Sequence, residues 1–312
     1  MEKVALAYRT ENFSPFVFVL QETGRSKYEI DIDAKLIPGV EQAEADLVDG
    51  GIDLIIGHHF TPFVSHVTGS CLTWLAIGQN YRDYKLVTRK DITKFEELRG
   101  KKVAIANNPC QGLNMRLMLK QMGLEEHVTV VEPEGRWFDS MLDIIASGDV
   151  AGGFVETPAE ILAKRRGLVV HEKTPILEVI MGECVTTIPN FIHGKGETIK
   201  KFLKAYLHSA CIFKTDKAYV KSAIRSAKHG RGSLSTLFDV SDDELVEAFY
   251  QTWSSRWERK PYPTPRALQN TKEKATRFDA RAAQVDPSDV VDMHYLAEID
   301  RTGFIDELYH GK

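Results

Sequence analysis

The feature that most restricts this chain is a repeated alternation, through its first half, of short strand-like and helix-like stretches joined by brief connections. Parallel strands cannot be joined by a tight turn, so such a rhythm requires crossover helices lying on the faces of a sheet. Strand character occurs at 4–8, 29–37, 52–57 and 103–106, and helical character at 15–22 and 41–48, where Ala43, Leu47 and Val48 fall near one face. A second cycle continues with a helix over 113–122 stopped by Gly123, a strand at 128–131, and a helix over 138–146 whose apolar face is Met141, Leu142 and Ile145. Ser147-Gly148 ends that helix ahead of a strand at 151–155. From about Glu197 the pattern turns to amphipathic helices at 197–213, 217–227, 242–257 and 267–278, with Asp242 and Asp243 at the start of the third, where acidic groups suit the positive end of the helix dipole. Pro261, Pro263 and Pro265 form a stiff spacer before the last of them.

A chain of 312 residues exceeds the usual span of one core, so two lobes are expected. Forty Lys+Arg against forty-four Asp+Glu, net -4, supply no broad positive field for nucleic acid or anionic lipid. No apolar run approaches the roughly 18 residues of a membrane span, so a membrane-spanning chain is not expected. Met1, Glu2 and Lys3 lead straight into the strand at 4–8 with no signal-like segment. As written the chain is expected in the cytoplasm, or in the periplasm if a bare Met1 stands where a signal peptide has been removed. Cys71, Cys110, Cys184 and Cys211 are widely separated and include no CxxC pair, which argues against disulfides and structural zinc.

Four segments carry a family likeness. Leu47-Val48-Asp49-Gly50-Gly51-Ile52-Asp53-Leu54 runs from a helix through glycines into an Asp-containing strand. The run at 91–104 ends in Leu98-Arg99-Gly100-Lys101-Lys102-Val103-Ala104, and that at 145–154 contains Ser147-Gly148-Asp149-Val150-Ala151-Gly152-Gly153-Phe154. The fourth, 291–306, closes the chain with Asp300-Arg301-Thr302-Gly303-Phe304-Ile305-Asp306. Together they resemble the type 2 periplasmic solute-binding protein superfamily, in the branch of nitrate, sulfonate and thiamine-pyrimidine-precursor binders. The resemblance departs where that branch has a Gly-aromatic-aromatic turn and this chain has Thr23-Gly24-Arg25-Ser26-Lys27-Tyr28. It implies an α/β, two-lobed type 2 periplasmic-binding-protein-like fold with mixed, mainly parallel sheets and helical C-terminal cladding. Lobe one is then 1–88 plus 190–312, and lobe two 89–189.

In open parallel sheets ligands bind beyond the carboxyl ends of strands, where loops converge and helix N-termini aim free N–H groups inward. That rule selects Arg9, Thr10 and Asn12 after the first strand, Arg9 offering a two-pronged contact to a carboxylate or sulfonate. It also selects His58 and His59 after the third strand, adjacent residues whose side chains should diverge. His66, two helical turns after His59, would allow a metal site with Glu156, but the spacing is no recognised ligand pattern and no metal is expected. Asn108, Cys110 and Gln111 sit where a strand meets a helix; a thiol there can become a nucleophile or remain a packed, unreactive group. Arg136 and Trp137 offer a cation and an aromatic plate, the latter alternatively a core anchor. Glu156 ends a strand near the lobe crossover, as ligand contact, acid/base or structural carboxylate.

Three functions remain open at this stage. The preferred one is a binding protein closing around a small carboxylate- or sulfonate-bearing or heteroaromatic molecule in an interlobe cleft, without cofactor, and handing it to an ABC permease if exported. The resemblance equally covers cytoplasmic enzymes on the same fold, among them hydroxylated-phthalate decarboxylases, a sulfinate desulfinase, menaquinone-pathway lyases and a thiamine-pyrimidine synthase. That alternative is a lyase or hydrolase acting on an aromatic acid through Cys110, His59 and Glu156. The synthase's cysteine-rich motif has no counterpart, since Gly182-Glu183-Cys184-Val185 holds a lone cysteine. A ligand sensor would be expected to carry an appended domain, and none is visible.

Overall fold

The computed structural model describes residues 1–134, 137–226 and 234–311, apart from the side chains of 137–139 and 236. Its strands, in chain order, are β1 (Glu2–Tyr8), β2 (Ile30–Leu36), β3 (Leu54–Ile56), β4 (Thr73–Ala76), β5 (Gln79–Arg82) and β6 (Lys85–Thr88). They continue with β7 (Lys102–Ala104), β8 (Thr129–Val131), β9 (Gly152–Val155), β10 (Val169–His171), β11 (Leu177–Met181) and β12 (Val185–Thr187). The chain forms two compact units, Met1–Asn80 with Val179–Lys312, and Tyr81–Glu178. It crosses between them twice, and the crossing segments β5 and β11 pair as a two-stranded sheet.

The first unit is built on a sheet of order β2-β1-β3-β12-β4. β1 pairs in parallel with β2 from Glu2↔Ile30 to Tyr8↔Leu36 and with β3 from Leu6↔Leu54 to Tyr8↔Ile56. Its central place explains why Val4, Leu6 and Ala7 are all fully buried, whereas edge strand β2 buries Ile30 and Ile32 and turns Asp33 outward. The helix Val40–Val48 packs Ala43 and Leu47 onto Ala7 and Ile55. Val48 is exposed: residues 43 and 47 share a face by four-residue spacing, and 48 lies a further 100° around.

The C-terminal helices clad this unit. The helix Ser14–Lys27 buries Phe16, which meets Tyr206 and Phe213 of the helix Gly196–Thr215, and Trp257 beyond the helix Asp243–Arg256. Burying each such ring removes apolar surface from water at about 2–3 kcal/mol. The helix Pro265–Phe278 starts two residues before the expected span because Pro265 occupies its first turn and Thr264 Oγ1 accepts the Ala267 N–H.

The second unit has the order β10-β6-β9-β7-β8, with β7 parallel to β8 and β9, β6 antiparallel to β9, and β10 antiparallel to β6. β6 pairs with β9 from Lys85↔Val155 to Thr88↔Gly152, so this unit begins ahead of the Asp91 lead-in that the sequence pattern marks. The helix Trp137–Ala146 buries Met141, Leu142 and Ile145 as its periodicity requires. Gly153 allows that approach: a Cβ there would stand 2.4 Å from Met141 Sδ and 2.9 Å from Ala104 O. Among the described residues no helix is long and apolar enough to cross a membrane.

The helix Asp243–Arg256 is capped by Asp242, whose carboxylate accepts from the N–H groups of Glu244 and Leu245. Asp242→Ala is expected to cost about 1 kcal/mol, measured by urea denaturation followed by circular dichroism.

Candidate functional site

Each unit gathers polar side chains at the edge where its parallel strands end. In the first unit β1 runs into Arg9 and β3 into Gly57-His58-His59, and the pairing of Tyr8 with Ile56 brings the two exits side by side. β12 arrives antiparallel to β3 with Val185 opposite Ile56, which sets Gly182 and Cys184 against the same exit. The Gly57 N–H donates to Cys184 O at 3.2 Å, and the Cys184 thiol and the Trp74 indole both donate to His58 O. Gly57 has φ +98, and a Cβ there would lie 2.4 Å from the Phe13 ring, so the turn that presents His58 demands glycine.

His58 is 1% exposed and lies at the centre of a polar chain. A terminal nitrogen of Arg9 lies 3.0 Å from His58 Nε2, and the other donates to Pro38 O at 2.5 Å. A guanidinium only donates, so Nε2 accepts and the neutral ring carries its proton on Nδ1. Nδ1 then donates to Thr61 Oγ1 at 2.7 Å, with Glu44 Oε1 at 3.4 Å, and the Thr61 hydroxyl bonds the Glu44 carboxylate. Burial, then the nearby Arg9 and His59, hold His58 well below its ordinary pKa of 6.5. Burial raises the Glu44 carboxyl above 4.5, with Thr61 and Arg9 partly opposing the shift.

The two histidines diverge as expected of neighbours on an extended exit. His59 Nε2 pairs with Gly182 O at 3.1 Å, and its ring meets Phe13 edge-on. His66 Nε2 turns to Leu72 O at 3.2 Å. No group of three or more His, Cys, Asp or Glu that could hold a metal ion occurs among the described residues. Thr10 and Asn12 lie at the 3-10 turn Glu11–Phe13, where the Thr10 carbonyl accepts the Phe13 N–H and the Thr10 side chain caps nothing.

In the second unit β7 leads to the helix Pro109–Gln121, and Asn108 is its N-cap, accepting the Gln111 N–H at 2.9 Å. Asn108 is thereby engaged in holding the helix start, with Cys110 in the first turn as a half-buried thiol outside any disulfide. β9 ends at Glu156, 1% exposed, and because β6 runs antiparallel to β9, Arg82 and Tyr84 enter at the edge where Glu156 leaves. Arg82 Nε lies 3.5 Å from Glu156 Oε1, and Asn114 Nδ2 donates to the Tyr84 hydroxyl at 3.0 Å. Burial above all, then the charge of Glu156, pushes the Tyr84 phenol far above its ordinary range, and Cys110 adds to the same shift. The edge thus assembles Cys110, Glu156, Arg82, Tyr84 and Asn114. Arg136 and the side chain of Trp137 lie outside the described residues.

The sequence pattern missed Glu44, Arg82, Tyr84 and Asn114. Glu44 lies on a helix read for its apolar face, and Asn114 on one read for its span and its glycine stop. Arg82 ends β5 and Tyr84 precedes β6, strands whose buried, non-alternating residues give no period; the polar run Gln79-Asn80-Tyr81-Arg82 was the available signal.

Two outcomes follow from this geometry. Gly57→Ala is expected to destabilise the chain by roughly 2–4 kcal/mol in urea denaturation, since both the backbone angle and the Phe13 contact resist it. For His58 the unfolded chain takes up the proton first, so stability is lost as pH falls from 6.5 towards the lower native value. The raised Glu44 acts in the opposite sense above pH 4.5. His58→Gln is expected to flatten the acid decline below 6.5 in pH-dependent unfolding.

The family model described as NMT1/THI5 like matches residues 29–215. No curated protein matches in sequence. Among solved structures, a putative periplasmic sulfonate-binding protein SsuA from Methylobacillus flagellatus KT aligns with a TM-score of 0.71 at 19% identity, over 97% of this chain and 96% of that one. The periplasmic aliphatic sulphonate-binding protein SsuA of Escherichia coli aligns at 0.66 and 14% identity, over 93% and 96%. A conserved Candida albicans gene product with the generic periplasmic binding protein fold aligns at 0.62 and 15%, over 94% and 96%. The fold is therefore that of the periplasmic binding proteins, and because the family model spans more than half its length, the chain belongs to the NMT1/THI5-like family.

Proposed function

We propose that the chain binds a small carboxylate- or sulfonate-bearing, or heteroaromatic, molecule in the manner of a solute-binding protein. The observation that carries this reading is Arg9, a cation held at both terminal nitrogens on the edge where β1 and β3 end. An anion placed there meets a guanidinium whose orientation is already fixed, so little ordering entropy is lost on binding. Family membership supports the reading, as do the sulfonate-binding descriptions of structurally similar proteins. His59, on the same edge, offers a further ligand contact. If exported, such a protein would deliver its ligand to an ABC permease.

A cleavage reaction is the second reading, favoured by a buried carboxylate, Glu156, grouped with Arg82 and the thiol of Cys110 around Tyr84. It would use Cys110 and Glu156 on an aromatic acid.

Thermal-shift screening of alkanesulfonates, aromatic carboxylates and pyrimidines, followed by calorimetry, is expected to find a ligand that raises the melting temperature. Arg9→Ala is expected to weaken it by roughly tenfold or more, the scale of a lost charge-assisted hydrogen bond. Mass spectrometry of the recovered ligand decides between the readings. An intact ligand upholds binding, and one consumed by wild type but spared by Cys110→Ala replaces it with cleavage.

A further inference from the structure

We propose that His58 is the positioning residue for Arg9, holding the guanidinium plane for an incoming anion through a neutral ring that accepts at Nε2. The inference rests on the binding reading above and names the group on which capture by Arg9 depends. His58 itself is buried and does not reach ligand.

The donors run one way, from Arg9 to His58 Nε2, from His58 Nδ1 to Thr61 Oγ1, and from Thr61 to Glu44. Reversing the ring's tautomer would set an N–H against the Arg9 N–H and leave Nδ1 without a proton for Thr61. A doubly protonated ring would likewise turn a donor on Arg9. The anchors at His58 and Pro38 O lie on different terminal nitrogens, so together they define the guanidinium plane. Losing the His58 anchor therefore removes the contact that sets one of the two terminal nitrogens.

The charged and titratable groups around the ring are Arg9 from the loop after β1, Glu44 from the helix Val40–Val48 with Glu41 near it, and adjacent His59. Burial, then Arg9 and His59, disfavour the cationic ring. The ring stays neutral at every pH above its lowered value, so ligand affinity is flat through the neutral range and falls only below it.

Calorimetry of the full chain with ethanesulfonate, joined to nitrogen-15 NMR of the histidine rings, tests this. The ring of His58 is expected as the Nδ1–H tautomer, and wild-type affinity is expected to change by less than about twofold between about pH 6 and pH 8. His58→Leu is expected to weaken binding roughly tenfold, and His58→Gln, whose amide oxygen accepts but does not titrate, to restore most of that loss. Thr61→Val, which removes the Nδ1–H acceptor without touching Arg9, is expected to weaken binding severalfold and serves if His58→Leu does not fold. An Nε2–H ring, unchanged affinity in His58→Leu or Thr61→Val, or an affinity loss centred on 6.5 would overturn the role of His58 and leave capture by Arg9 standing. Absence of ethanesulfonate binding in wild type, or its persistence in Arg9→Ala, would instead overturn capture, and the NMR tautomer would still decide the His58–Arg9 contact.

Discussion

Parallel pairing of β1 with a strand on each side is the constraint from which the first unit follows. Two parallel neighbours oblige the chain to return over the sheet twice, which creates the helices Ser14–Lys27 and Val40–Val48 and sends β1 and β3 out at one edge. Arg9 and His58 are 49 positions apart yet meet because the strands they follow end opposite each other. The second unit obeys the same rule through β7, which places the Pro109–Gln121 helix start and Glu156 on a common edge.

What the sequence made legible is what periodicity can encode. Crossover helices with one apolar stripe, such as 137–146, and the parallel strands they join were recoverable because each leaves a repeating pattern. The antiparallel additions β4, β6 and β12 were not, since each is three or four residues long and buried on nearly every position. A strand without alternation looks like any short apolar run. The exit rule found Arg9, His58, His59, Cys110 and Glu156 but not their partners. Glu44 and Asn114 come from helices whose apolar period says nothing of a polar group beside it, and Tyr84 immediately precedes β6, a strand that pattern alone could not see.

The same contrast governs the electrostatics. Exposed ion pairs such as Arg25–Asp31 and Lys164–Glu172 occupy the surface, where solvent leaves each of them little to contribute. Buried groups have no such freedom: His58, Glu156 and Tyr84 must find donors and acceptors within the fold, so their neighbours are dictated by protonation state as much as by shape. The residues of greatest functional interest are accordingly those whose partners come from distant parts of the chain.

The position of β12 bears on how the molecule is made. This strand lies between β3 and β4, yet it is translated only after the whole of Tyr81–Glu178. A ribosome therefore releases a contiguous segment able to complete its own sheet while the earlier-made strands still lack a central member. Assembly of the amino-terminal sheet waits on residues 185–187, and until they emerge the backbone edges of β3 and β4 stand without the strand that later pairs with both.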